Sequence, residues 1–177
     1  MDNSQDKNIY VKLAKKAIQE YIINEERIET PSPLPDNLKK RAGSFVSLKK
    51  NGQLRGCIGT IQATKQNLAE EIISNAISAA AKDPRFRPVK KNEIDELDIS
   101  VDILEEPEKI DSIDKLNPDR YGVIVQKGMQ RGLLLPNLEG IDSAEEQVNI
   151  ALQKAGLHTV QNMNDIELYR FEVTRYR

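Results

Sequence analysis

The stretch SFVSLKKNGQLRGCIGTI, residues 44–61, decides how the rest of the chain is read. Asn51-Gly52 is the dipeptide that a type I′ turn selects, because both central positions of that turn need positive φ. Ser44–Lys50 and Gln53–Ile61 flank it with the apolar content of strands, so the spacing predicts a β-hairpin. A two-residue loop then sets Cys57 opposite Val46, with Leu48 nearby. Alternation places Arg55, Cys57 and Gly59 on one face and Leu54, Gly56, Ile58 and Thr60 on the other.

Working outward, helices and strands interleave around this hairpin. Tyr10, Ala14, Ala17, Ile18 and Tyr21 recur at helical spacing and predict a helix over residues 7–24. Pro31, Pro33 and Pro35 make residues 30–36 a proline-rich linker within the domain, with Leu34 and Leu38 seeking apolar cover. Leu68, Ile72, Ile73, Ala76, Ala79 and Ala80 form a wide apolar stripe on a helix over residues 64–82, which Asp83-Pro84 stops. Leu97, Ile99, Val101 and Ile103 alternate with Asp98, Ser100 and Asp102, the pattern of a half-buried strand. Tyr121–Gln126 and Gly132–Leu135 read as two strands around Lys127-Gly128. Ser143 and Glu146 stand at capping-box spacing before a third helix, residues 143–155. Residues 166–174 close the chain as a strand with Tyr169, Phe171 and Val173 on one face. The whole is α+β, a largely antiparallel sheet with about three packing helices.

Composition bounds the function. At 177 residues the chain suits a single domain, and 26 basic against 28 acidic residues exclude a basic field over the whole molecule. Lys49, Lys50, Lys90, Lys91, Lys127 and Arg131 stand near turns, but acids are interspersed and aromatics make up only 5%, too few for a stacking platform, so nucleic acid is disfavoured. One cysteine and one histidine exclude an internal disulfide and a His/Cys metal set. Asp98 and Asp102 share a polar strand face and read as solvated, so neither metal nor cofactor is expected. No apolar run approaches the ~20 residues that span a bilayer, and the polar start MDNSQDKN adds to the expectation of a cytoplasmic protein without membrane contact.

Leu54-Arg55-Gly56-Cys57-Ile58-Gly59 carries the chemistry. Glycine weakens a strand, so two of them around a cysteine mark a bulge or a close approach to the backbone. Cys57 has two readings: a small buried hydrophobe, or a thiol activated by the Arg55 guanidinium. His158 follows the third helix and reads as a surface residue; a Cys57–His158 pair needs the fold to join them. Asp83-Pro84-Arg85-Phe86-Arg87-Pro88 is the second candidate. It is either an anion site built on Asp83 and Arg85, or a helix stop in which Asp83 pairs with an arginine.

These residues resemble the AMMECR domain family, whose bacterial members are called AmmeMemoRadiSam system protein A. Leu54–Gly59 matches the family's signature hexapeptide. Phe45-Val46-Ser47-Leu48, Asp83-Pro84-Arg85-Phe86, Gly132-Leu133-Leu134-Leu135-Pro136, Lys154-Ala155-Gly156-Leu157 and Glu167-Leu168-Tyr169-Arg170-Phe171 follow in order, so the resemblance covers nearly the whole chain. Many members carry a cysteine shortly before the Lys-Ala-Gly-Leu segment; here that region reads Ile150-Ala151-Leu152-Gln153, and a two-thiol mechanism is weakened. The resemblance implies one domain over residues 1–177 with a larger and a smaller lobe, and a cleft near the hexapeptide. It also implies partners, a Memo-like protein related to extradiol dioxygenases and a radical SAM enzyme. It brings no established activity.

Three functions are carried forward. The first in rank is a binding or accessory component that meets its partner, or a small-molecule ligand, through Leu54, Arg55, Gly56, Cys57, Ile58 and Gly59, with Asp83 and Arg85 beside them. The second is an enzyme with Cys57 as nucleophile and Arg55 as the anion-binding residue, its backbone amides holding an oxyanion. The third is a nucleic-acid-binding protein. Oligomeric state is left open.

Overall fold

The structure, a computed structural model, describes residues 9–159 and 162–177. Residues 7 and 8 of the predicted helix over 7–24 lie outside the described residues, and the helix is described over Ile9–Asn24. The chain divides into two compact units, a larger one holding the residues up to Leu104 together with Thr174–Arg177, and a smaller one, Glu105–Val173.

In the larger unit, α1 (Ile9–Asn24), the short α2 (Asp36–Lys39) and α3 (Leu68–Ala81) accompany β1 (Ser44–Lys50), β2 (Gln53–Gly59) and β3 (Leu97–Leu104). β1 pairs antiparallel with both β2 and β3. Asn51 and Gly52 take φ of 52° and 75°, the turn conformation their identities predict. Val46 and Leu48 of β1 and Ile99, Val101 and Ile103 of β3 face a core filled by Leu68, Ile72, Ile73 and Ala76 of α3 and by Leu13, Ala17 and Ile18 of α1. Burying each such Leu, Ile or Val side chain is worth about 1.5–3 kcal/mol, which is why this face fixes the register. Leu38 is fully buried and Leu34 packs against the same core, so both proline-flanked leucines find apolar cover.

The hairpin's register differs from the simple two-residue expectation. Lys49 faces Leu54, but Leu48 faces Gly56, leaving Arg55 as the extra residue of a bulge. From that point every partner shifts by one: Val46 faces Ile58, and Cys57 faces Ser47 rather than Val46. Cys57 therefore leaves the core face and stands half-buried on the opposite one. Gly56 takes the core face instead, and a Cβ there would lie 2.2 Å from the Ala79 carbonyl oxygen of α3. The alanines of α3 and the missing side chain of Gly56 together let that helix settle directly on the strand.

α3 begins at Leu68, the first residue of its apolar stripe and four residues after the start of the predicted range over 64–82. Asn67 caps it, its side chain accepting from the Glu70 amide. The preceding loop is drawn onto Glu71, which is 1% exposed and accepts from the Thr60 hydroxyl (2.6 Å), the Thr64 hydroxyl (2.9 Å) and the amides of Thr64 and Lys65 (2.8 Å each). Burial pushes the Glu71 carboxyl up, but these donors together outweigh it and hold it below its ordinary value.

In the smaller unit, β4 (Glu108–Ile110) pairs with β7 (Glu167–Tyr176), which pairs with β5 (Tyr121–Lys127), which pairs with β6 (Gln130–Leu134), all antiparallel. α4 (Ala144–Lys154) covers them with Val148, Ala151 and Leu152, and the Ser143 hydroxyl accepts from the Glu146 amide at its start. β7 does not bury the single face the alternation suggested. Leu168 joins the core with Val123, Val125 and Leu134, whereas Phe171, of opposite parity, lies over Gly122, whose absent side chain makes the room. β4 and α2 escaped the sequence reading, being too short for any periodicity to register.

Candidate functional site

β2 ends the strand order of its unit, so the backbone on its outer side has no neighbouring strand. The turn after α3 takes that place. The Asp83 carboxylate, 1% exposed, accepts the Cys57 amide at 2.9 Å, and Arg85 Nη2 donates to the Cys57 carbonyl at 3.1 Å. An acid and a guanidinium thus supply the acceptor and the donor that another strand would have supplied. They also bind each other: Arg85 Nε meets Asp83 Oδ1 at 3.0 Å and Nη2 meets Oδ2 at 2.8 Å. These hydrogen bonds from Arg85, helped by the Cys57 and Arg85 amides, hold the Asp83 carboxyl far below the usual carboxylate range despite its burial. This is the helix stop in which Asp83 pairs with an arginine, Arg85, and the pair is set against the backbone of β2.

Arg55, the bulge residue, reaches the other end of the same segment. Its Nε and Nη2 meet the two carboxylate oxygens of Glu93 at 3.1 and 2.9 Å, while Nη1 and Nη2 donate to the carbonyls of Arg87 and Pro88 at 2.9 and 3.3 Å. A guanidinium has five N–H donors; four contacts therefore commit most of them. Glu93 also accepts the Lys90 amide at 2.9 Å and lies 3.6 Å from Lys50 Nζ. The Arg55 fork, first among these causes, draws the Glu93 carboxyl down from 4.5 to about 2. Glu93 was not marked in the sequence, where nothing ties it to a residue 38 positions away.

Cys57 Sγ lies 3.1 Å from the Ser47 hydroxyl. Ser47 in turn faces Ser100 across β1 and β3, so a thiol and two hydroxyls form one row on the face opposite the helices. One pair-step along, Asp102 is buried rather than solvated and is gripped by Arg175, Nε to Oδ1 and Nη2 to Oδ2 at 2.7 Å each. Hydrogen bonds to Asp83 and Asp102 raise the pKa of the Arg85 and Arg175 guanidinium groups above their ordinary values. Leu54 is exposed, Gly56 is buried, and Ile58 and Gly59 are half-buried. The Phe45 ring occupies the space a side chain on Gly59 would need. His158 is exposed in the turn after α4, and the hydrogen-bond partners of Cys57 are Ser47, Asp83 and Arg85. Two hollows on the protein have Tyr21 and Lys90, and Lys109 and Leu168, among their lining residues; neither is lined by Cys57. Among the described residues, no group of three His, Cys, Asp or Glu side chains is placed to hold a metal ion, and no helix is long and apolar enough to cross a membrane.

A family model, AMMECR1, matches residues 11–176. A protein of Thermotoga maritima is 51% identical over 170 residues, which cover 95% of this chain and 97% of that protein. Protein CA_C1420 of Clostridium acetobutylicum is 47% identical over 98% of this chain, and the chain spans only 36% of that relative. Among solved structures, the uncharacterized protein PH0010 of Pyrococcus horikoshii has the same fold, with a TM-score of 0.85, 35% identity, and coverage of 97% of this chain and 90% of that one.

Proposed function

The chain belongs to the AMMECR1 family, and from that premise we propose that it is a cytosolic binding component which presents the segment Leu54–Gly59 and its bracing turn to a partner protein, a Memo-like protein or a radical SAM enzyme. The observation that carries this reading is the commitment of Arg55. A guanidinium already bound to Glu93 and to two carbonyls is a brace, and little of it remains to take a substrate anion. Cys57 has neither a histidine nor a free carboxylate as a base among its hydrogen-bond partners, since Asp83 is spent on Arg85. The Clostridium relative supports the same reading, because there a segment of this kind is one part of a chain nearly three times as long. Leu54, 43% exposed on the outermost strand, is the apolar residue this surface offers.

Calorimetric titration of the full chain with a Memo-like protein tests this. Binding at micromolar concentrations is expected, weakened about tenfold by Leu54→Asp and unchanged by Cys57→Ser. No binding of either partner would remove the proposal. Intact binding by Leu54→Asp would place the contact elsewhere. An enzymatic reading has one observation in its favour, the row of Cys57, Ser47 and Ser100, with Arg85 on the Cys57 carbonyl and Arg175 on Asp102. It gains only if Cys57→Ser abolishes a turnover that the assembled partners show.

A further inference from the structure

The brace formed by Arg55, Asp83 and Arg85 holds a strongly basic segment. Residues 82–91, KDPRFRPVKK, contain five basic residues and one acid in a chain whose net charge is −2. The acid, Asp83, is neutralised by Arg85. Lys82, Arg87, Lys90 and Lys91 are all exposed, and none has an ion-pair partner among the described residues.

The backbone beneath these cations is fixed. The Phe86 amide donates to the Asp83 carbonyl at 3.1 Å and the Val89 amide to the Ala80 carbonyl at 2.8 Å. Arg55 takes the carbonyls of Arg87 and Pro88, and Glu93 takes the Lys90 amide. A ligand meeting this segment would order little main chain, which removes one of the usual costs of association.

The same segment closes one side of a hollow at the ends of α1 and α3. Ile22, Ala81 and Val89 line it with aliphatic surface, Tyr21 adds an aromatic edge, and Lys90 and Lys91 stand on the rim with Glu25 alone against them. Ile23, the neighbour of Ile22, is itself 47% exposed. Two unpaired cations on the rim of an aliphatic hollow, with Lys82 and Arg87 elsewhere on the same segment, call for a ligand that is anionic and carries one apolar group. A single nucleic-acid strand would want several aromatic faces instead, and the floor here is aliphatic.

We propose that this surface docks an acidic peptide segment of a partner protein, its carboxylates meeting Lys82, Arg87, Lys90 and Lys91 while one apolar side chain enters the hollow over Ile22, Ala81 and Val89. The cations and the hollow are residues other than Leu54–Gly59, and the proposal names the chemistry by which a partner is recognised. It rests on the binding-component reading only in that a partner supplies the peptide.

Fluorescence anisotropy with synthetic peptides tests it without any partner protein. The probe is a labelled peptide with glutamates flanking a central Leu-Phe pair. Controls replace the pair by serines, or the glutamates by glutamines. The full chain is expected to bind the probe with micromolar affinity, and each control peptide about tenfold more weakly. The double variant Lys90→Glu/Lys91→Glu should lose about tenfold as well, while Lys15→Glu/Lys16→Glu, the same charge change on exposed residues of α1, should bind as the parent does. Equal losses in the two double variants would mean diffuse attraction and overturn the proposal. So would absence of binding, or displacement of the probe by an oligothymidylate that binds more tightly. Circular dichroism of each variant checks that it is folded. Failure here with retained partner binding would remove this surface and leave the Leu54–Gly59 contact standing.

Discussion

Gly56→Ala is expected to destabilise the protein by about 3 kcal/mol or more, at the upper end of what one inserted methyl does in a packed interior. The new Cβ would lie 2.2 Å from the Ala79 carbonyl oxygen and 3.2 Å from its carbon, and both belong to the backbone of α3. A flexible side chain could swing away, whereas a helix backbone moves only if the helix moves. α3 cannot shift freely, because its other face packs on α1 and its N-terminal turn is tied through Glu71 to the loop after β2. For a chain of this size the loss corresponds to a fall in Tm of roughly 6–12 °C. Gly52 is the control: nothing lies within 4 Å of a Cβ there, and only its φ of +75° is unfavourable to alanine, so Gly52→Ala should cost about 1 kcal/mol. Urea unfolding of the two variants measures the contrast. Equal stabilities would show that α3 does not rest on β2 as described.

Asp83→Ala should cost about 2–4 kcal/mol, because it removes one partner from a buried ion pair and leaves the other groups unpaired. The Cys57 amide loses its acceptor on the outer side of β2, and Arg85 loses the carboxylate that aims it at the Cys57 carbonyl. Arg85 is 55% exposed and recovers part of its solvation, which keeps the cost below that of a fully buried pair. The same pair predicts an acid dependence. The folded chain holds the Asp83 carboxyl below its ordinary value of 3.8, so its contribution is complete above about pH 4 and is lost as pH falls further. The parent should lose stability steeply on acidification below pH 4, and Asp83→Ala should lose less over the same interval. Thermal melts at stepped pH decide it; parallel curves would mean that the pair contributes nothing.

The alternation of apolar residues and the Asn51-Gly52 turn made the hairpin, the three main helices and the antiparallel sheets legible from residue order, because each element's buried face is written at its own period. The hexapeptide was legible as unusual, through its two glycines. Its role was not. Whether Cys57 faces Val46 or Ser47 depends on one bulge at Arg55, and a bulge leaves no mark in an alternation that it interrupts by a single residue. Arg55 read as an anion-binding group because its partner, Glu93, lies 38 positions away, and sequence spacing speaks only of near neighbours. Glu71 and Asn75 carry a signal in the sequence: both lie on the apolar face of α3, four residues apart. Polar groups there must find internal partners, here Thr60, Thr64 and Ser44. The pairing of Asp102 with Arg175, across 73 positions, had no local trace.

These placements make the hexapeptide a bracket: Arg55 and the Cys57 peptide bolt residues 83–93 to the edge of β2. Amide hydrogen exchange of Arg55→Ala against the parent tests that most directly. The bracket predicts that the Val89 and Lys90 amides exchange at least tenfold faster in the variant, while the amides of Ile72–Ile77 within α3 keep their protection. Unchanged exchange at Val89 and Lys90 would show that Arg55 does not hold the segment, and would return its guanidinium to the role of a ligand-binding group.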